Sequence, residues 1–224
     1  MDVQSYMSTD LVTIQPSTKI IEALDLMKEH KIHRLPVVQG ETIVGLITEG
    51  IIERNTPSSM TSLDMHEVNY LLNKTTVSDI MEKRVVTINK EALLEEAAVT
   101  MRENGISVLP VVEPGNRLIG IITEKDIFSA FIDVLGYYTP GVRVVVNIHE
   151  DKKGVLEDLT DIFSDENINI QQIATYRKMG YVQVVIQLES KDVEGVRARL
   201  EQQSYEIRSI INKPERVYDV MIRV

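Results

Sequence analysis

The 224-residue sequence has no cysteine, no tryptophan, only three phenylalanines and no basic excess. Without cysteine there can be no disulfide framework, thiol nucleophile or thiolate metal site. No apolar run approaches the roughly 18–20 residues of a membrane span. The first residues, Met1-Asp2-Val3-Gln4, lack the basic-then-apolar pattern of a signal peptide. These absences predict a cytoplasmic protein. Lys and Arg number 24 against 34 Asp and Glu, a formal charge of −10. That balance argues against general nucleic-acid binding, which needs a basic face. Residues 1–140 hold 12 basic and 20 acidic side chains, so most of the imbalance lies there. An anionic ligand of this half must meet local basic groups or backbone N–H groups.

What the chain does contain is a long internal repeat. Val3, Met7, Val12-Thr13-Ile14, Ala23, Met27 and Leu35-Pro36-Val37-Val38 recur as Val77, Met81, Val86-Thr87-Ile88, Ala97, Met101 and Leu109-Pro110-Val111-Val112. The offset is 74 to Val38 and 75 from Gly40/Gly115, so Pro114 is a single insertion in a turn. The copies then diverge at one polar position. Gly120-Ile121-Ile122-Thr123-Glu124-Lys125-Asp126 keeps a carboxylate where Gly45-Leu46-Ile47-Thr48-Glu49-Gly50-Ile51 has an aliphatic side chain.

Each copy reads as β-α-β-β-α. A short extended segment (Leu11–Ile14, Val85–Ile88) precedes a helix with one apolar face: Ile20, Ile21, Ala23, Leu24 and Met27, then Leu93, Leu94, Ala97, Ala98 and Met101. Two apolar strands follow around Gly40 or Pro114-Gly115-Asn116, and a helix should begin after Thr48 and Thr123. Neither copy has enough apolar surface to stand alone, so two copies packed sheet to sheet should share a core. Leu63, Val68, Leu71 and Leu72 suggest a short connecting helix. The pattern changes after Tyr138-Thr139-Pro140-Gly141. Val142–Ile148, a helix over about 154–165, the strands 168–176 and 181–188, a helix with Val193, Val196 and Leu200, and the strand Tyr205–Ile210 give βαββαβ, a ferredoxin-like order. The expected boundaries are 1–55, a linker at 56–76, 77–138, 141–212 and an extension at 213–224.

On these motifs, twice in order, the first half resembles the cystathionine-β-synthase (CBS) domain family, and the pair resembles a Bateman module. The second half resembles the ACT domain, and the order CBS–CBS–ACT is similar to the acetoin-utilisation AcuB group. The fold class implied is α/β (α+β): a tandem CBS pair followed by a βαββαβ ACT domain. The resemblance implies a regulatory, non-catalytic protein sensing AMP, ADP, ATP, NAD or a cyclic dinucleotide, as a homodimer acting on a protein target. It makes Asp126 the ribose ligand, with Thr123 beside it on ribose or phosphate. Facing them it sets Ile32, His33 and Arg34, with Leu11 and Val12 as apolar wall. A carboxylate can accept two ribose hydroxyls, and Arg forks onto phosphate oxygens. The opposite cleft would pair Thr48 and Ile51 with Ile106, Ser107 and Val108, and without a carboxylate it should be degraded or empty. Without the repeat, Asp126 would read as a helix N-terminal carboxylate that only stabilises the helix dipole; with it, ligand binding is the leading expectation.

An ACT ligand loop would comprise Asn147, Asp151, Gly154, Val155 and Leu156 and take an amino acid. Its usual Pro-Gly pair is reduced here to Gly154 alone. Subunit pairing would use helices near Ile52 and Phe128–Leu135. Metal and catalytic motifs are weak. His30 and His33 lack a third ligand, His66-Glu67 lacks a second His, and no Gly-x-Ser-x-Gly or Gly-rich phosphate loop occurs.

Overall fold

A computed structural model describes residues 1–56 and 72–214, in two compact units divided between Phe128 and Ser129. In the first unit, α1 (Ile20–His30), β1 (Arg34–Gln39), β2 (Thr42–Thr48) and α2 (Glu49–Asn55) form one copy. The short α3 (Val77–Ile80), then β3 (Ile88–Asn89), α4 (Leu94–Asn104), β4 (Val108–Glu113), β5 (Arg117–Thr123) and α5 (Glu124–Val134) form the other. The helices form for the reason their spacing suggests. Ile20, Ala23 and Met27 are buried on one face of α1, and Leu94, Ala97 and Met101 repeat the stripe on α4. Each fully buried aliphatic side chain of this size contributes about 1.5–3 kcal/mol.

The copies lie in one five-stranded sheet of order β1-β2-β5-β4-β3, joined where Thr42 pairs with Arg117. Both hairpins carry an irregularity at the same point, Val37/Val38 and Val111/Val112. The leading extended segments pair less than their apolar character suggests. Only Ile14 bridges Val37 in the first copy, and only Ile88–Asn89 pairs in the second.

Beyond this sheet pairing, the copies are joined by exchange of leading segments. Residues before α1 pack on the second copy: Ser8 and Ile121 exchange both backbone hydrogen bonds (2.9 and 3.0 Å), and Val3 N–H donates to Ala92 O. Residues before β3 return the arrangement, with Glu82 and Leu46 exchanging both bonds at 2.9 Å. Two glycines permit the approach. A Cβ on Gly120 would lie 2.5 Å from Met7 Sδ, and one on Gly45 would lie 2.4 Å from Met81 Sδ. The exchange also supplies helix caps that no local side chain provides. Ile20 N–H donates to Thr75 O and Leu94 N–H to Met1 O, each at 3.1 Å. The core around Leu35, Val37 and Ile47 is accordingly completed by Val77, Ile80 and Met81.

The second unit runs β6 (Gly141–Ile148), α6 (Val155–Ser164), β7 (Ile170–Lys178), β8 (Tyr181–Leu188), α7 (Val193–Gln202) and β9 (Glu206–Lys213). Its antiparallel sheet has the order β7-β8-β6-β9, as a ferredoxin-like unit requires. Alternate residues Val142, Val144, Val146 and Ile148 meet Leu159 and Phe163 of α6 and Val196 and Leu200 of α7 in its core. The last turn of α5 and the chain after it also belong to this unit. Gln172 Nε2 donates to Asp133 O at 2.8 Å, Arg143 Nη2 to Leu135 O at 2.6 Å, and Lys213 Nζ to Gly136 O.

Among the described residues no helix is long and apolar enough to cross a membrane. Of the expected linker helix, Leu63, Val68 and Leu71 lie outside the described residues, as do His66 and residues 215–224 of the extension. Leu72 packs against the first copy's core. Ile52 itself is buried in that core, whereas Phe128 and Phe131 are exposed.

Candidate functional site

Within each copy, the strand after the first helix starts beside the end of the strand before the second. Arg34 pairs with Thr48 and Val108 with Thr123. The carbonyl just before each pair accepts the first N–H of the following helix. Glu49 N–H donates to His33 O (3.1 Å) and Glu124 N–H to Ser107 O (3.2 Å). Two helix N-termini are thereby built against equivalent peptide groups, and their side chains then differ.

At the start of α5, Asp126 Oδ2 accepts from the Thr123 N–H (2.7 Å) and from the Thr123 hydroxyl (2.8 Å). Thr123 and Asp126 are thus joined, and among the described residues Asp126 Oδ1 makes no hydrogen bond. At the start of α2 no carboxylate stands at Ile51. The Thr48 Oγ1 instead accepts from the Ile51 N–H at 3.2 Å, an ordinary N-cap. Ile51 itself packs against the first copy's core. The Asp126 arrangement also has a counterpart within the chain. At α3, Asp79 Oδ2 accepts from the N–H and hydroxyl of Thr76, both at 2.7 Å. A capping role alone can therefore account for the bonds that Asp126 makes here.

Arg34 is the group that crosses between copies. Its Nη1 donates to Ser107 O (3.1 Å) and Ser107 Oγ (3.2 Å). Sequence reasoning sets Arg34 and Ser107 in opposite clefts; in the fold they touch. Because Ser107 O also accepts from Glu124 N–H, the guanidinium lies close to the first turn of α5. Burial lowers the Arg34 pKa from its usual value and the nearby Glu124 carboxylate opposes the shift. An arginine stays charged under such a change. His33 turns to its own copy, with Nδ1 2.7 Å from Glu49 Oε2, and is exposed.

The other expected wall residues are half-buried. Val12 and Ile32 pack against the first copy's core, and Leu11 precedes them. In the second copy Ile106 is half-buried, and Val108, at the position equivalent to Arg34, is buried and apolar. The second copy therefore offers no cation at that position. Glu124 was missed in the sequence. The signal available was the acidic residue kept after the Thr in both copies, Glu49 and Glu124.

In the second unit, Gly154 is the left-handed N-cap of α6 (φ 94°) and the loop before it is exposed. Asp151 pairs with Arg177. Val155 packs against the core, while Leu156 is exposed. Asn147 Nδ2 donates to Glu206 Oε1 at 2.8 Å, and His149 contacts the same carboxylate. The His149 contact, then the Asn147 bond, holds the Glu206 pKa below the ordinary range.

The family model of the CBS domain matches residues 3–54 and 77–133, and that of the AHAS small subunit-like ACT domain matches residues 146–212. Protein MJ1225 of Methanocaldococcus jannaschii is 37% identical over 130 residues, which are 55% of this chain and 46% of that protein. The chain thus spans about half the length of that relative. The crystal structure of MJ1225 matches with a TM-score of 0.53 at 29% identity, over 58% of this chain and 47% of that one. A CBS domain-containing protein of Dictyostelium discoideum is 34% identical over 134 residues, 59% of this chain and 92% of that protein. An acetoin utilization protein (AcuB) from Vibrio cholerae matches with a TM-score of 0.50 over 60% and 93% of the two chains; at 24% identity this shows the fold alone. With its exchanged repeats and, later in the sequence, the ferredoxin-like unit, the chain belongs to the CBS-domain family, as a tandem CBS pair followed by an AHAS small subunit-like ACT domain.

Proposed function

We propose that this chain is a non-enzymatic regulatory protein of the cytoplasm whose CBS pair binds one adenosine-containing ligand at Thr123 and Asp126. The candidate ligands are AMP, ADP, ATP, NAD and cyclic dinucleotides. The observation that carries this reading is Arg34, a cation of the first copy held at Ser107 beside the first turn of α5. The proposed ligand would take its phosphate on this guanidinium and its ribose on the Asp126 carboxylate. Ile32, His33, Leu11 and Val12 complete the proposed cleft. Thr48, Ile51, Ile106 and Val108 line a second cleft that lacks the ribose carboxylate and stays weak or empty.

The ACT domain serves dimerisation and senses an amino acid through Asn147, Asp151, Gly154, Val155 and Leu156. Ligand binding shifts the population between arrangements of the CBS repeats, which a protein target reads. A coupling of about 1–3 kcal/mol suffices. The order CBS–CBS–ACT, which resembles the AcuB group, is the sole basis for proposing acetoin or acetate-related carbon use as the regulated process.

A second reading has a specific observation in its favour. Asp126 makes the same bonds to Thr123 that Asp79 makes to Thr76, so the clefts could be empty and the module purely a dimeriser. Calorimetry of the whole protein against the five ligand types separates the two. Heat with at least one adenosine ligand supports sensing, and none with any of them leaves the dimeriser. Titrating amino acids against the whole protein tests the ACT role in the same way.

A further inference from the structure

The Arg34–Ser107 contact uses one end of the guanidinium. Nη1 carries both bonds to Ser107, while among the described residues Nε and Nη2 make no hydrogen bond. The Nε–Nη2 edge is one of the two planar forks through which arginine takes a phosphate or carboxylate in bidentate fashion. A free arginine side chain samples many rotamers, and fixing it costs entropy when a ligand binds. Here that ordering precedes the ligand, because Arg34 is half-buried and tethered at two acceptors of one residue.

We propose that Ser107 is a positioning residue for ligand phosphate: it holds the Arg34 guanidinium by Nη1 so that the Nε–Nη2 edge faces a phosphate on an adenosine ligand bound at Thr123 and Asp126. This rests on the adenosine-ligand reading and moves Ser107 from the weak cleft to the competent one. Two features support it. Ser107 O is anchored by Glu124 N–H, so the tether is fixed to the helix whose first turn carries Asp126. Glu124 also keeps a negative charge near the half-buried guanidinium, which lowers the cost of holding it there without ligand. The asymmetry is intrinsic, since His33 replaces Ser107 and Val108 replaces Arg34 in the reciprocal arrangement.

The test is isothermal calorimetry of the whole protein with adenosine and with AMP, for the natural sequence and for Ser107→Ala, Ser107→Thr and Arg34→Ala. The natural protein should bind AMP more tightly than adenosine. Ser107→Ala removes one of two acceptors of a charged donor and should lower the AMP-to-adenosine affinity ratio by about three- to tenfold. Ser107→Thr, which keeps the hydroxyl, should restore the ratio, and Arg34→Ala should remove the preference. An unchanged ratio in Ser107→Ala, or an equal loss for both ligands, overturns the positioning role while leaving adenosine sensing intact. Binding of neither ligand by the natural protein overturns both.

Discussion

The two CBS copies share a skeleton down to single hydrogen bonds, yet they treat one threonine oppositely. Thr48 accepts from the Ile51 N–H as a plain N-cap, while Thr123 gives its hydroxyl to Asp126. The same peptide carbonyl, of His33 or of Ser107, caps the following helix in both. The scaffold therefore does not require the carboxylate. What the carboxylate adds is a charged oxygen in the first turn of α5, the turn that begins at Ser107 O, where Arg34 of the other copy is held. On the proposed reading, a pair of folded repeats becomes a pair with one equipped cleft.

The largest effect expected from breaking this comparison is on ligand binding. A hydrogen bond to a charged group contributes about 1.5–3 kcal/mol, so Asp126→Ala should weaken an adenosine ligand by about ten- to a hundredfold in calorimetry. Asp79→Ala is the internal control, because it removes the same capping bonds and should leave affinity unchanged. Loss of affinity in both variants would mean that Asp126 acts only through the fold.

Next in size is the exchange of leading segments. A Cβ at Gly45 or Gly120 would press on Met81 or Met7, and also on the Glu82 or Ser8 carbonyl at 3.2 Å. Overpacking of this kind costs about 1–3 kcal/mol, so Gly45→Val and Gly120→Val should lower the urea midpoint to a similar degree. Markedly unequal losses would show that the copies are less symmetric in packing than their hydrogen bonds indicate.

A smaller difference lies at the helix ends. Lys31 closes α1 in the left-handed region (φ 53°), where its counterpart Gly105 closes α4 (φ 62°). A side chain there costs about 1–2 kcal/mol per residue, offset in part by glycine's greater freedom when unfolded. Lys31→Gly should therefore stabilise by about 0.5–1 kcal/mol and Gly105→Ala destabilise by about as much, as read by urea unfolding.

The smallest effect concerns acid stability. The Thr76 hydroxyl, then its N–H, holds the Asp79 carboxyl below the ordinary aspartate range. Because the folded value lies below the unfolded one, this stabilisation is full above about pH 4 and is lost as pH falls through the lowered folded value. Asp79→Asn should flatten the acid limb of a plot of urea midpoint against pH. An unchanged limb would assign acid sensitivity to other carboxylates.

The sequence revealed the elements better than their partners. Alternation and helical spacing placed both hairpins, the helices after Thr48 and Thr123, and the βαββαβ order, because those patterns are local. Repeat alignment assigned Val3 and Met7 to the first copy, whereas their contacts lie with Ala92 and Gly120 of the second. Covalent order records duplication, and packing followed exchange. The helix caps at Ile20 and Leu94 were illegible for the same reason, since distant carbonyls supply them. Leu11–Thr13 has strand composition but no neighbouring strand edge that it pairs with, so only Ile14 makes a bridge. At the candidate site, Thr123, Asp126 and Arg34 stood out as residue types. That Arg34 reaches Ser107 depends on a side-chain path across copies, which no spacing rule encodes.

The most direct test of the one-cleft asymmetry is the stoichiometry of AMP binding to the whole protein, measured by calorimetry. One ligand per chain is expected, lost in Asp126→Ala and retained in Asp79→Ala. Two equivalent sites per chain, or a single site that survives Asp126→Ala unchanged, would contradict it.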